Sequence, residues 1–255
     1  MTTLNTVQVE RKDGVAVVRF ESGSKRNAIT QQCIQDLVSV AHQLDLDTHV
    51  QAIVLAGSQQ GFCAGIDTNE VMDQVARRHE IAPLERRQAF YSGTRMCAAW
   101  QRLPQITIAA MEKMAVGGGM ALALACDVRV MGQDAFVYLP ELKYGMLLQW
   151  GSIPRLVEAV GAARAKRAIL LMERIPADQA LAWGLADFVT APGATESKAL
   201  EIAESIVQLP PMPVRMVKEA VNAAANALHA VTSYADGDQS HLSMLALLER
   251  LDLPA

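Results

Sequence analysis

An α/β fold with a helical C-terminal region is predicted by three features of the sequence. Short apolar, β-branched runs alternate with stretches of helical periodicity up to about residue 190. Glycine-rich loops follow two of those runs, Ala52-Ile53-Val54-Leu55-Ala56 and Ile106-Thr107-Ile108-Ala109-Ala110-Met111. From Thr195 onward most of the chain reads as helix. The 255 residues suffice for one large domain or one domain with an appendage, and the pattern divides them into a core over 1–194 and a helical region over 195–255.

The elements follow in order. Val7 to Glu10 and Val15 to Phe20 flank Arg11-Lys12-Asp13-Gly14, where Asp-Gly between apolar runs predicts a hairpin. Thr30 caps a helix to about Leu46, with Ile34, Leu37, Val38 and Ala41 on one face. Residues 52–56 read as a buried strand, and Thr68 to Pro83 as a short helix and mobile loop. Leu84 to Leu103 reads as one helix stopped by Pro104. The strand at 106–111 leads into Gly117-Gly118-Gly119 and then a helix from Met120 to Ala125. Asp127 to Met131 is a strand, and Ala135 to Leu142 a short extended piece interrupted by Pro140. Ile153 to Val160 and Ala162 to Met172 are helical, with Gly161 between them. A helix begins at Pro176-Ala177-Asp178 and ends near Gly184, and Phe188-Val189 closes the core. Helices in the tail are marked by Leu200 to Val207, Val217 to Ala224 and Leu242 to Leu251.

Composition narrows the function. A net charge of −4 gives no global attraction to nucleic acid or to an anionic membrane. No apolar run reaches membrane-spanning length, because Glu112, Lys113 and Asp127 interrupt the most apolar region. The N-terminus lacks a secretory pattern, and Cys33, Cys63, Cys97 and Cys126 show no C-x-x-C spacing, so reduced thiols in a cytoplasmic protein are expected. His42, His49, His79, His229 and His241 belong to no metal-ligand motif, and no metal site is expected.

The glycine loops near Ile66 and Gly118 carry the chemistry. The first N–H groups of a helix lack internal partners, and glycine lets a ligand approach the backbone. Two such loops at strand ends can each donate one N–H to an oxyanion, and one such donor is worth roughly 3–4 kcal/mol. Read alone, each loop is first of all a tight turn that uses glycine for positive φ. Neither G-x-x-x-x-G-K-[ST], G-x-G-x-x-G nor G-x-S-x-G occurs, which weakens nucleotide and serine-hydrolase readings.

Phe62-Cys63-Ala64-Gly65-Ile66-Asp67 resembles the F-x-A-G-x-D element of the enoyl-CoA hydratase/isomerase (crotonase) superfamily. Lys113 through Val116-Gly117-Gly118-Gly119-Met120-Ala121-Leu122 to Cys126-Asp127 resembles its G-x-x-x-G-G-G-x-x-L-x-x-x-C-D element, with Lys113 where glycine is usual. Lys25-Arg26-Asn27-Ala28-Ile29 resembles the N-A-[LIM] loop, with Gly23 in place of a usual proline. Pro140-Glu141-Leu142-Lys143-Tyr144-Gly145 resembles F-x-x-P-E-x-x-x-G, with Phe136 one residue early, and Ala180 to Asp187 resembles A-x-x-x-G-L-V-D. The resemblance spans roughly residues 7 to 190. It implies a crotonase-like spiral of ββα turns that holds an acyl-CoA thioester, with no cofactor beyond the coenzyme A of the substrate. It implies that the Ile66 and Gly118 N–H groups hold the thioester oxygen and stabilise an enolate. It places the backbone around Ala64 and Thr68 at the adenine, Ala28, Gly65 and Asp67 in the same CoA-binding loops, and Lys25 and Arg26 near the CoA phosphates. For Lys25 and Arg26, simple solvation is the competing reading. The C-terminal helices of the family cover the core and build trimers, often paired into hexamers.

The resemblance also bears on the reaction. The family's hydratases hold water between two glutamates. One maps onto Glu141; the other maps onto Ala121, which moves no proton. One carboxylate suits a proton shuttle that turns a 3-enoyl-CoA into a 2-enoyl-CoA. A hydratase or related lyase with a substituted first glutamate, and an acyl-CoA-binding protein without chemistry, remain alternatives. Gln149 and Trp150 add bulk after the P-E element, and Trp150 walls the acyl site or packs in the core. Arg86, Arg87 and Tyr91 read first as a solvated helix face, with a helix that borders the acyl pocket as the alternative, and Met72, Met96, Met146 and Leu147 as core filler or acyl-channel lining.

Overall fold

A computed structural model describes residues 2–77 and 79–250. Strand β1 (Thr2–Thr3) pairs antiparallel with β2 (Val7–Lys12), which turns back into β3 (Val15–Phe20). The hairpin turn is Asp13-Gly14, both left-handed at φ 49° and 82°, and Arg11 and Lys12 extend the strand. Helix α1 (Gln31–Asp45) starts where expected, with the Thr30 hydroxyl accepting from Cys33 N at 3.2 Å.

Strand β4 (Ala52–Ala56) is buried along its whole length. It is followed by α2 (Thr68–Ala76), α3 (Pro83–Phe90) and α4 (Ser92–Arg102). The single helix expected over Leu84 to Leu103 is thus two. The break falls at Tyr91, just before Ser92-Gly93, a pair of weak helix formers. The halves also live in different surroundings: α3 buries none of its residues, whereas α4 buries Gly93, Met96, Cys97 and Trp100.

Next come β5 (Ile106–Met111), β6 (Met114–Val116), α5 (Gly118–Leu124), β7 (Val128–Gly132) and β8 (Phe136–Tyr138). The sequence pattern missed β6, which is too short to show a period. Helix α5 begins two residues before the expected Met120, because Gly117 at φ 48° and ψ −116° turns the chain directly into it. Helix α6 (Ser152–Leu170) is broken at Gly161, at φ 77° and ψ 157°, as the sequence suggests. The chain ends through β9 (Ile175–Pro176), α7 (Ala177–Trp183), β10 (Phe188–Thr190), α8 (Thr195–Val207), α9 (Pro211–Ala225), α10 (His229–Ser233) and α11 (Asp236–Arg250). Leu251, at the end of the last expected helix, lies outside the described residues.

The strands form two sheets, β1-β2-β3-β4-β5-β7-β10 and β6-β8-β9. From β3 to β10 the large sheet is parallel. One face carries the main core, with Phe20, Ile53, Leu55 and Trp100 fully buried. Ala199 and Ala203 of α8 cover the other face against Val15, Val17, Val54 and Ile108. Coverage on both sides explains why β4 is uniformly apolar instead of alternating.

Asn27 ties the end of β3 to the first glycine loop. Its Nδ2 donates to the carbonyls of Phe20 at 3.0 Å and Phe62 at 2.9 Å, and its Oδ1 accepts from Ser22 N at 3.0 Å. It sits at φ 56°, a conformation asparagine tolerates better than most residues. Asn27→Ala is expected to lower stability by about 2–4 kcal/mol, since it strands buried backbone groups and forces alanine into left-handed backbone. Denaturant unfolding checks this as a fall in midpoint at constant slope.

Candidate active site

The loop from Gly61 to Asp67 is gripped from both sides. On one, Cys63 N donates to Met114 O at 3.1 Å and Cys63 O accepts from Val116 N at 3.0 Å. On the other, Ile29 N donates to Gly65 O at 2.7 Å and Ile29 O accepts from Asp67 N at 2.8 Å. In this parallel bridge Ile29 bonds the residues on either side of Ile66, so the Ile66 N–H itself is left over.

The second loop follows β6. Gly117 N donates to Tyr138 O at 2.9 Å, and α5 then opens at Gly118 with the N–H that no helix can satisfy internally. Neither the Ile66 nor the Gly118 N–H is bonded to another group among the described residues. The two loops touch: a methyl group on Gly119 would meet Cys63 Cβ at 2.5 Å, and one on Gly65 would meet Val116 O at 3.3 Å. Ile66, Gly118, Ala121 and Glu141 line one cavity of about 190 Å³.

Register delivers Glu141. Strand β8 pairs with β6 so that Tyr138 lies opposite Val116. Gly117 therefore follows one partner and Pro140-Glu141 follows the other. A methyl group on Gly117 would lie 2.6 Å from Glu141 Oε1, so the carboxylate rests on bare glycine. Its Oε2 is buried with no hydrogen-bond partner among the described residues. Burial pushes the Glu141 carboxyl up from its usual 4.5 to about 7, opposed by a hydrogen bond from its own backbone N–H. Ala121, one turn into α5, is 1% exposed and brings no ionisable group.

Trp150 walls this cavity and is buried. It holds a left-handed φ of 64°, uncommon for so bulky a residue. Its indole lies in a slot between Gly93 of α4 and Gly118, where a methyl group on either glycine would overlap the ring. Arg155 Nη1 donates to Trp150 O at 2.7 Å, and Gly151 N donates to Asp236 Oδ2 at 2.8 Å, so the strained turn is braced by α6 and α11.

The expected CoA-binding residues lie outside that cavity. Lys25 and Arg26 are exposed in a short 3₁₀ turn, and Arg26 N donates to Gln60 Oε1 at 2.7 Å. Ala28 and Ala64 are half-buried, Gly65 is buried and Thr68 is exposed at the start of α2. Asp67 has a structural task, because its Oδ1 accepts from Asn69 N at 2.9 Å and caps α2. Sequence reading missed His241 and Met244, which line the cavity beside Arg86, Met146, Leu147 and Gln149. Of the residues read as a solvated face, Arg87 and Tyr91 bond Asp238, while Arg86 turns inward. Among the described residues no three histidine, cysteine or acidic side chains gather to hold a metal ion, and no helix is long and apolar enough to cross a membrane.

The family model for enoyl-CoA hydratase/isomerase matches residues 10–246. The chain belongs to the enoyl-CoA hydratase/isomerase family. It is 31% identical to the short-chain-enoyl-CoA hydratase of Clostridium acetobutylicum over 86% of this chain and 82% of that one. It is 33% identical to a probable enoyl-CoA hydratase of Mycobacterium bovis over 87% and 83%. Among solved structures, an enoyl-CoA hydratase/isomerase from Xanthobacter autotrophicus Py2 superposes with a TM-score of 0.86, at 26% identity, over 97% of this chain and 93% of that one. The fold is the crotonase fold of this family.

One departure from the family pattern has a local physical account. Lys113, where glycine is usual, sits at φ 58°, the left-handed region glycine favours. Its Nζ donates to Gln59 O at 2.6 Å, a bond that glycine lacks and that offsets part of the strain.

The raised Glu141 value has a sign for stability. Below 4.5 the folded and unfolded chains both hold the proton. Between 4.5 and about 7 only the folded chain holds it, so stability falls as pH rises, and above about 7 the full cost remains. Glu141→Gln is therefore expected to raise the melting temperature relative to wild type at pH 8, with the difference vanishing near pH 4 (both pH values approximate working points). Thermal unfolding of both proteins across that range checks it.

Proposed function

We propose that this family member shifts the double bond of an enoyl-CoA, with Glu141 as a single proton shuttle. The observation that carries the reading is the cavity's one carboxylate among the described residues, Glu141, with Ala121 where a second would stand. In this reaction Glu141 takes a proton from the carbon next to the thioester. The electron pair released moves onto the carbonyl oxygen, which the Ile66 and Gly118 N–H groups stabilise. The carboxyl returns the same proton two carbons further along, and the double bond re-forms in conjugation with the thioester. Nothing is added or lost. A carboxyl that titrates near 7 suits a group that must both take and give a proton. Lys25 and Arg26 beside the CoA phosphates, with Ala28, Ala64, Gly65, Asp67 and Thr68 along the nucleotide, complete the binding reading.

The relatives are named hydratases, which favours the alternative of a hydratase; in this chain it, or a related lyase, would have to order its water without a first glutamate. A non-catalytic acyl-CoA-binding protein is the third reading. One assay separates them. Offered separately, a 3-enoyl-CoA is expected to convert to the 2-enoyl-CoA, while the 2-enoyl-CoA gains no water. Hydration of the second without conversion of the first overturns the proposal. Glu141→Gln is expected to cut turnover by about 100-fold or more. In wild type kcat/KM is expected to rise with pH through about 7, as the base ionises.

A trimer-based assembly belongs to the same proposal. Helix α9 exposes Met212, Met216, Val217 and Val221, each at least 60% accessible, as an apolar face. Light scattering is expected to give about three times 27.6 kDa or a multiple of it, and Val217→Asp to lower the mass. A monomer at micromolar concentration counts against it.

A further inference from the structure

Arg86 is a half-buried cation with no ion pair among the described residues. It lines the same cavity as Glu141, and its Nε is buried without a hydrogen-bond partner among the described residues. The neighbouring arginine shows what is missing. Arg87 Nε and Nη2 reach the two oxygens of Asp238 at 2.9 Å each, and the Tyr91 hydroxyl also donates to Asp238 at 2.9 Å. The acidic residue nearest in sequence to His241 is thereby committed to another pair. Glu141 does not serve Arg86 either. No ion pair links the two, and no cation lowers the Glu141 carboxyl.

The surroundings of Arg86 suit a carboxylate. His241 lines the wall with it, stacked on Phe90 at 4.8 Å between ring centroids. Burial and the Arg86 charge hold that imidazole below its usual 6.5, so it is a neutral donor or acceptor there. The rest of the wall is largely apolar, with Val71, Ile81, Leu147 and Met244. A guanidinium offers forked donors that match a carboxylate. Leaving the buried Nε unmatched costs free energy that a bound anion would recover.

We propose that the Arg86 side of the cavity recognises a carboxylate at the far end of the acyl chain, so that the preferred substrates are CoA monothioesters of dicarboxylic acids. This rests on the reading that an acyl-CoA fills the cavity; it does not depend on which reaction follows. Saturated esters test it without turnover. Dissociation constants for adipoyl-CoA and hexanoyl-CoA, of equal chain length, are measured by calorimetry on the wild-type protein, Arg86→Gln and Arg86→Lys. Wild type is expected to bind adipoyl-CoA about 10- to 100-fold more tightly. Arg86→Gln is expected to bring that ratio close to one, and Arg86→Lys to leave an intermediate ratio, because it keeps the charge and loses the fork. A wild-type ratio of one or below overturns the proposal. So does equal weakening of both esters by Arg86→Gln, the result expected if Arg86 grips the CoA phosphates. Failure of both esters to bind overturns the acyl-CoA reading itself. The wild-type ratio decides the matter even if a variant does not fold.

Discussion

The loop after β4 meets the glycine turn after β6 with almost no side chain between them, and the site depends on that contact. Gly119 against Cys63 and Gly65 against Val116 set the spacing. The grip of Ile29 on one side and β6 on the other fixes the loop's rotation. Rotation decides which N–H groups are consumed by pairing and which are left over. Because the leftover donors at Ile66 and Gly118 belong to backbone held by neighbouring strands, they would need no reorganisation to meet the charge that the proposed reaction develops. Preorganised donors of this kind are worth far more than mobile ones. Asn27 extends the same logic outward, since it fastens the loop to the end of β3 through two carbonyls.

The second sheet is small, yet it places the acid. Three paired residues of β6 and β8 bring Pro140-Glu141 alongside Gly117. The carboxylate then sits where water does not reach its Oε2, at a cost in folding free energy that its raised proton affinity records. Trp150 represents a second cost. Its left-handed backbone is tolerated because Arg155, Asp236 and the slot between Gly93 and Gly118 overdetermine its position. Both costs fall at the cavity, and both are met by packing elsewhere, including the coverage of the large sheet by α8.

Much of this was legible in the sequence. The Asp-Gly hairpin, the Thr30 cap and the Gly161 break are local events, written in two or three residues each. The loops carrying Ile66, Gly118 and Glu141 were legible through the resemblance of their motifs taken together, although Glu141, expected on an extended piece, opens a 3₁₀ turn. What escaped depends on partners distant in the chain. Strand β6 has three residues and no period of its own; it exists because β8 pairs with it. The break between α3 and α4 follows from different burial on either side of Ser92-Gly93. Arg86 and Arg87 are adjacent and chemically alike. Only the position of α11, which brings Asp238 to one and His241 toward the other, separates an outward ion pair from an inward cation with no ion pair among the described residues.

The content of the cavity constrains its chemistry more tightly than its shape does. Two nearby carboxylates raise each other's proton affinity and can share a water between them. With alanine at 121 that repulsion is gone, and the shift at Glu141 comes from burial, with no acidic neighbour contributing. Among the described residues the cavity then holds one carboxyl, with the unpaired N–H groups of Ile66 and Gly118 and largely apolar walls between polar ends. A base with no partner to orient water gains little from admitting it, whereas a proton lifted from carbon can be set down again by the same oxygen. The absence of an acid at Ala121 and the cation at Arg86, with no ion pair among the described residues, are thus complementary. In the proposed reading one limits what is done to the acyl chain, and the other selects which acyl chains are held.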